Sequence, residues 1–307
     1  MKAFRVGRIT ESKMNKELLG ALVGGAMLAL AGAARADDTT PKAADKSQYT
    51  LFNPTPKDQM RDFNTDRPTK SNVPYTVDAG HVQYEGDLFI YGYDNVSTPD
   101  TNITSWTVGN PTFKLGLLNN VDFEVNFSFY NSIRSATVST GAYSISQGFG
   151  DTFTRFKWNL FGNEGGGPAF ALIPYAKWPT APMAPQGIGN GYIEGGLIAP
   201  FAMPLPGGFT AILMGEMDIV KNAFDSNYRV NIPALLNISR PIIENVTAYA
   251  EIFTNWSTNP QAPNIVTADF AVAWQPRPNF QLDAGINIGL NYAAIPYQFY
   301  VGIAQRF

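Results

Sequence analysis

From His81 to its last residue the chain repeats one pattern, with apolar and polar side chains alternating position by position. Val82, Tyr84, Leu88 and Ile90 share one parity, while His81, Gln83, Glu85 and Asp87 hold the other. Val121, Phe123, Val125, Phe127 and Phe129 likewise alternate with Asp122, Glu124, Asn126 and Ser128. The pattern returns at 152–160, 213–219, 246–256, 266–274 and 282–290, and in each stretch the charges keep to a single parity. Because successive side chains of a strand point to opposite faces, each stretch predicts a two-sided β-strand. Alternation alone leaves the sidedness open: a soluble sandwich buries its apolar set and a membrane barrel turns it to lipid.

Three features favour the membrane. The stretches run to about 10 to 13 residues, close to the 9 to 11 that a tilted strand needs to cross a bilayer. The connections alternate in length. Tight turns at Asn119-Asn120, 163–167, 205–208, 241–244 and 276–279 are interleaved with longer polar connections such as 134–148 and 179–190. This is the asymmetry of short periplasmic turns and longer outer loops, and it counts out to about twelve strands, an even number, as bacterial barrels have. Finally, Phe299, Val301, Ile303 and Phe307 lie on one parity of a closing strand. A final Phe307 resembles the C-terminal signal read by the outer-membrane assembly machinery, although Gln305 stands where an aromatic is common. The expected fold is all-β: a transmembrane antiparallel up-and-down β-barrel over 81–307, with an irregular N-terminal segment.

Ahead of the barrel the texture changes twice. Leu18 to Ala33 is an apolar run preceded by Lys13 and Lys16 and followed by Ala34-Arg35-Ala36. A basic start, a short apolar run and an A-x-A site predict a secretory signal peptide over 1–36, cleaved after Ala36. Residues 37–80 are polar, rich in Pro, Asp, Lys and Thr, and aperiodic, which predicts an irregular segment, free in the periplasm or folded into the barrel mouth.

Composition agrees. Charged residues are 15% of the chain against about 25% in ordinary soluble domains, while Phe, Tyr and Trp number 21, 14 and 5. Mean hydropathy is −0.11, which excludes a polytopic helical membrane protein. With no cysteine there is no disulfide framework, lipoprotein anchor or thiolate site. Removing the signal segment takes six bases and two acids from totals of 22 and 25, leaving 16 against 23 and a net charge of −7. No basic patch remains for nucleic acid.

Phe63 to Tyr84 reads FNTDRPTKSNVPYTVDAGHVQY. This resembles the opening of the outer-membrane transporters grouped as the phenol meta-pathway degradation family, with Thr65, Asp66, Arg67, Pro68, Pro74, Val77 and Gly80 on the matching positions. Gly148 to Asp151 and Tyr175 to Thr180 are similar to later pieces of that family. The resemblance spans about residue 63 to the end. It implies an outer-membrane barrel of a Gram-negative bacterium taking up small, aromatic or hydrophobic, organic compounds; the word degradation in the family's title implies no enzyme.

Placing the polar parity in the lumen gives a list of expected lining charges. The bases are Lys114, Arg155, Lys157, Lys177, Arg229 and Arg306. The acids are Glu85, Asp87, Asp122, Glu124, Asp151, Glu194, Glu216, Asp218, Glu251, Asp269 and Asp283. Six against eleven leaves an interior of −5, which in an open pore favours cations or neutral solutes. The other reading is that the charges pair across the interior and fill it. The Thr65-Asp66-Arg67-Pro68 element either anchors the leader to these charges as a plug or forms a turn. Phe89, Tyr91, Phe153, Tyr249 and Phe253, on the polar parity, either line an apolar path or pack the interior.

Catalysis has little to stand on. The one histidine, His81, falls at the periplasmic start of the first strand, and one imidazole with scattered carboxylates is neither a nucleophilic triad nor a zinc site. No catalytic residue, cofactor or metal is expected. The expected partners are membrane lipid, the assembly machinery and a small-molecule solute. The alternative function is a non-conducting structural or adhesion barrel that binds a partner through its outer loops.

Overall fold

The computed structural model describes residues 45–222 and 227–307. The signal segment lies outside these residues. Fourteen strand segments follow in order: β1 (Val82–Asp94), β2 (Thr101–Leu118), β3 (Val121–Asn126), β4 (Tyr130–Thr137), β5 (Tyr143–Gly148), β6 (Thr152–Phe161) and β7 (Ala169–Trp178) come first. Then come β8 (Glu194–Leu205), β9 (Phe209–Lys221), β10 (Tyr228–Ile243), β11 (Val246–Ser257), β12 (Ile265–Arg277), β13 (Phe280–Gly289) and β14 (Tyr297–Arg306). All pairings between these strands are antiparallel, and β1 closes the ring by pairing with both β2 and β14. Long β2 pairs with β3 through one half and with β4 through the other, while β6 pairs with β3 and β5 with β4. Segments β3 and β4 are therefore one stave, as are β5 and β6, and the barrel is a closed antiparallel ring of twelve.

Burial decides the sidedness that alternation left open. Along β6, Phe156 and Trp158 are 49% and 50% exposed while Lys157 between them is 0% exposed. Along β12, Phe270, Val272 and Trp274 are about half exposed (48, 47 and 50%), and Asp269 is 0%. A water-soluble fold does the reverse, so the apolar belt faces lipid and the charges face the lumen. Antiparallel ladders run all round the ring, so no sheet edge is left open to hydrocarbon.

The tight turns fall at one end of the ring. At that end Asn245 and Asn279 take φ of 60° and 63°, the left-handed region that asparagine tolerates. Three sequence expectations need correction. Segment 134–148 is not a polar loop: β4 and β5 continue as a paired hairpin, with Arg134 opposite Ile145 and only 138–142 unpaired. The strand read through Val121 to Phe129 breaks at 127–129, and its neighbour breaks at 149–151. Phe89 and Tyr91 do not face the lumen. A bulge between Asp87 and Phe89 adds a residue at Leu88, which flips every later side chain of β1. Phe89 and Tyr91 are 41% and 36% exposed, and Gly92 and Asp94 turn inward.

Residues 45–60 lie on the rim at the short-turn end. Thr50 bridges to Leu118, the Leu51 N–H donates to the Leu117 carbonyl (2.8 Å), and Lys57–Gln59 make one 3₁₀ turn. Residues 61–78 then enter the lumen and return. The two ends of this loop meet where the Arg61 N–H donates to Asp78 (3.2 Å). Arg306 of β14 holds both, donating to Asp78 Oδ2 (3.1 Å) and to the Arg61 carbonyl (2.8 Å).

Candidate functional site: the lumen and loop 61–78

The loop is aperiodic, so its own backbone groups find few partners within it and must be satisfied by the wall. They are. The Asp66 N–H donates to Glu85 (2.9 Å), those of Lys70 and Ser71 to the two oxygens of Glu251 (both 3.2 Å), and that of Val77 to Asp122 (2.9 Å). On the return limb Asn159 donates to the Pro74 carbonyl (2.8 Å).

Two adjacent side chains, Asp66 and Arg67, reach four charged partners on the wall. Asp66 accepts from Lys157 (2.9 Å) and from Lys114, and its Oδ1 also accepts from the Val73 N–H (2.7 Å). Lys114 also lies 2.7 Å from Glu85, and Lys157 lies 3.4 Å from Glu124. Next along the chain, Arg67 points the opposite way, donating through Nε to Asp283 (3.0 Å) and through Nη1 to Asp87 (2.6 Å). Its guanidinium lies flat on Gly302, where a Cβ would come within 2.0 Å of it. Thr65 shapes this step, accepting from the Arg67 N–H (3.1 Å) and donating to the Arg67 carbonyl (2.8 Å), and Pro68 borders a cavity of about 170 Å³ with Ile90 and Tyr300.

The other charges fall into smaller sets. Lys70 reaches Asp269 and Thr267 on β12. Lys177 bridges Asp151 (3.1 Å) and Glu194 (2.8 Å) at the long-loop end. Asp218 accepts from the Tyr175 hydroxyl (2.6 Å), with Glu216 one inward position away and Arg229 on the neighbouring strand. Arg155 approaches Glu124 only to 3.9 Å. Phe307 is 63% exposed; its N–H donates to the Val82 carbonyl, and its own carbonyl faces a His81 ring nitrogen (both 2.9 Å).

A family model described as "Putative MetA-pathway of phenol degradation" matches residues 65–307, which starts at Thr65 and takes in most of the loop with the whole barrel. The chain belongs to this family. No curated protein matches it. Among solved structures, an outer membrane channel from Pseudomonas putida F1 is similar at a TM-score of 0.55 and 14% identity, covering 80% of this chain and 100% of that one. The β domain of the Bordetella autotransporter BrkA follows at 0.47 and 12%, covering 74% and 99%. The NanC porin is at 0.45 and 9%, covering 73% and 98%. At these identities the likeness concerns fold.

In this family barrel the loop's electrostatics follow from its pairing. Burial works to raise the Asp66 carboxyl, but Lys114 and Lys157 outweigh it and hold Asp66 well below the usual carboxylate range. Burial likewise works to lower Arg67, and hydrogen bonds and charge from Asp283 and Asp87 raise it above the usual guanidinium value. Both side chains stay charged across the physiological range.

Parity reasoning named the wall charges but not several residues that meet the loop. Lys70, Asn72, Arg61 and Asp78 sit in an aperiodic segment and carry no strand signal. Ile212 and Met214 did carry one. They are apolar residues on the same parity as Glu216 and Asp218, which marks an apolar patch on the lumenal face. That patch is real: Ile173, Ile198, Met214 and Leu235 form a buried cluster with Tyr175 and Phe253 against it.

Proposed function

We propose that this barrel is an outer-membrane channel of a Gram-negative envelope, passing a small apolar or aromatic solute, with loop 61–78 as its gate. The observation that carries the reading is the loop itself. It enters from the short-turn end and is tied by Asp66, Arg67 and Lys70 to β1, β2, β6, β12 and β13, so it spans the lumen from wall to wall. The Thr65–Pro68 element is the loop's anchor in this reading, and the wall charges tune selectivity towards cations and neutral molecules. The signal peptide is removed after Ala36, and Phe307 serves assembly.

A solute role rather than adhesion is supported by the lumenal cluster of Ile173, Ile198, Met214 and Leu235, which a purely structural plug does not require. Uptake of N-phenylnaphthylamine, an apolar dye that an intact outer membrane excludes, tests the reading in whole cells. Cells making the full chain take up the dye faster than cells without it. Equal rates, with the barrel present in the membrane, contradict a channel and favour the non-conducting alternative.

A further inference from the structure

The loop does not touch its two sides in the same way. Towards β1, β2, β3 and β6 it makes ion pairs with Lys114, Lys157 and Asp87, and between loop and wall lies a cavity of about 280 Å³. The wall of that cavity is charged, with Glu85, Asp87, Lys114 and Arg155 all lining it. On the far side lies a second cavity of about 210 Å³, between the loop and strands β8 to β13. The barrel strands lining it, with Ala202, Ile212, Tyr249 and Ala273, contribute no Asp, Glu, Lys or Arg, and its only charged borders are Asp66 and Arg67 of the loop.

Register joins this second cavity to the apolar cluster. Ala202 pairs with Ile212, Pro200 with Met214, Met214 with Leu235, and Leu235 with Phe253, while Ile173 pairs with Ile198. Cross-strand partners lie side by side on one face. The apolar strip is thus continuous across β7 to β11, from near the short turns towards Tyr175 and Phe253. At its β10 and β11 edge Asn237 donates to the Thr69 hydroxyl and Glu251 accepts from the Lys70 and Ser71 N–H groups, and on β9 it meets Asn72. Asn72 donates its backbone N–H to the Met214 thioether (3.4 Å), and its buried Oδ1 has no partner. A thioether is a weak acceptor, so the loop is pinned by charge to β1, β2, β6, β11, β12 and β13 and merely rests on β9.

We propose that loop 61–78 divides the lumen into two unlike lanes, resting on the channel reading above. Small ions and water pass along the charged lane beside β1 to β3 and β6. The apolar solute passes along the β7 to β11 strip, where the loop yields at Asn72 and Met214 while its ion pairs hold. The class of ligand for this second lane is an uncharged molecule with an aromatic or branched apolar body, because Ile173, Ile198, Met214 and Leu235 would meet it with apolar surface, with Glu216 and Glu251 at the strip's borders.

The chain has no cysteine, so thiols can be placed at will and modified after folding. In the full chain, Asn72→Cys with Met214→Cys would be bridged by a short bis-thiosulfonate cross-linker to close the apolar side. Thr112→Cys, on the wall of the charged cavity, would be capped with a bulky thiosulfonate. Potassium chloride conductance in planar bilayers and N-phenylnaphthylamine uptake in cells are the two readouts. The cross-link lowers dye uptake about ten-fold, with conductance nearly unchanged and uptake restored by reductant, and the cap at position 112 does the converse. If either modification lowers both readouts together, the lumen is a single path and the two lanes are wrong although the channel stands. Dye uptake and current both absent before modification would overturn the channel reading and the lanes with it.

Discussion

The same short loop meets two walls of one barrel, and the walls treat it differently. On β1, β2, β6, β12 and β13, Asp66, Arg67 and Lys70 are held by charge, and on β9 Asn72 meets a methionine sulfur. Buried ion pairs contribute little net stability once desolvation is counted, yet breaking one leaves an unpaired charge at a cost of several kcal/mol. They therefore define where the loop sits more than how tightly the fold holds. Apolar contact is non-directional and tolerates sliding. The charged strands fix register and the contact on β9 permits motion, which is the division a gate needs.

The largest effect is expected where charge is stranded. Asp66→Ala leaves Lys114 and Lys157, both nearly inaccessible, with only Glu85 and Glu124 as partners, at a cost to docking that approaches the roughly 3–5 kcal/mol of a broken buried pair. Limited proteolysis should cut within 61–78 in the variant and spare the native chain; equal protection would mean that charge does not pin the loop. Gly302→Val acts on the same side from the wall. A side chain there must displace the Arg67 guanidinium, costing about 1–3 kcal/mol, read as a smaller rise in the same cleavage.

Acid should sharpen the comparison with an intermediate effect. Asp66 is held below its ordinary 3.8, so its contribution to docking is complete above that value and is lost only as pH falls through the lowered one. Lys114, Lys157 and Glu85 face it. Loop protection should hold down to about pH 4 and decline progressively as the pH falls further. Loss between pH 5 and 7 would point to a different titrating group. Smallest of all, Asn72→Ala removes an unpartnered amide oxygen from the apolar side and should change loop protection by less than about 1 kcal/mol. A loss as large as that of Asp66→Ala would erase the difference between the walls.

How much of this could be read beforehand depends on periodicity. Strands announce themselves because one face is wet and the other is not, so β6 and β12 were legible in full, and the alternation of turns sufficed for twelve staves. The bulge at Leu88 was not. Leu88, Phe89, Ile90 and Tyr91 are all apolar or aromatic, so the sequence reads equally well in either parity there. The breaks at 127–129 and 149–151 hide for a similar reason, since Phe127, Phe129 and Phe149 continue the apolar set and pack on one another beyond the break (ring centroids 5.2 and 5.5 Å apart). For the site, parity found the wall charges Glu85, Lys114, Asp283 and their neighbours. It could not say which of them Asp66 and Arg67 would meet, because the loop has no period from which to project a partner.

Single-channel recording tests the central claim, that loop 61–78 occludes a pore, most directly. Refolded chain would be compared in planar bilayers with a version lacking residues 61–78, at equal protein and in potassium chloride. The account predicts small or rare steps from the full chain and larger, steady steps from the shortened one, with potassium favoured over chloride. Identical steps from both, or silence from both with the barrel folded, would contradict it.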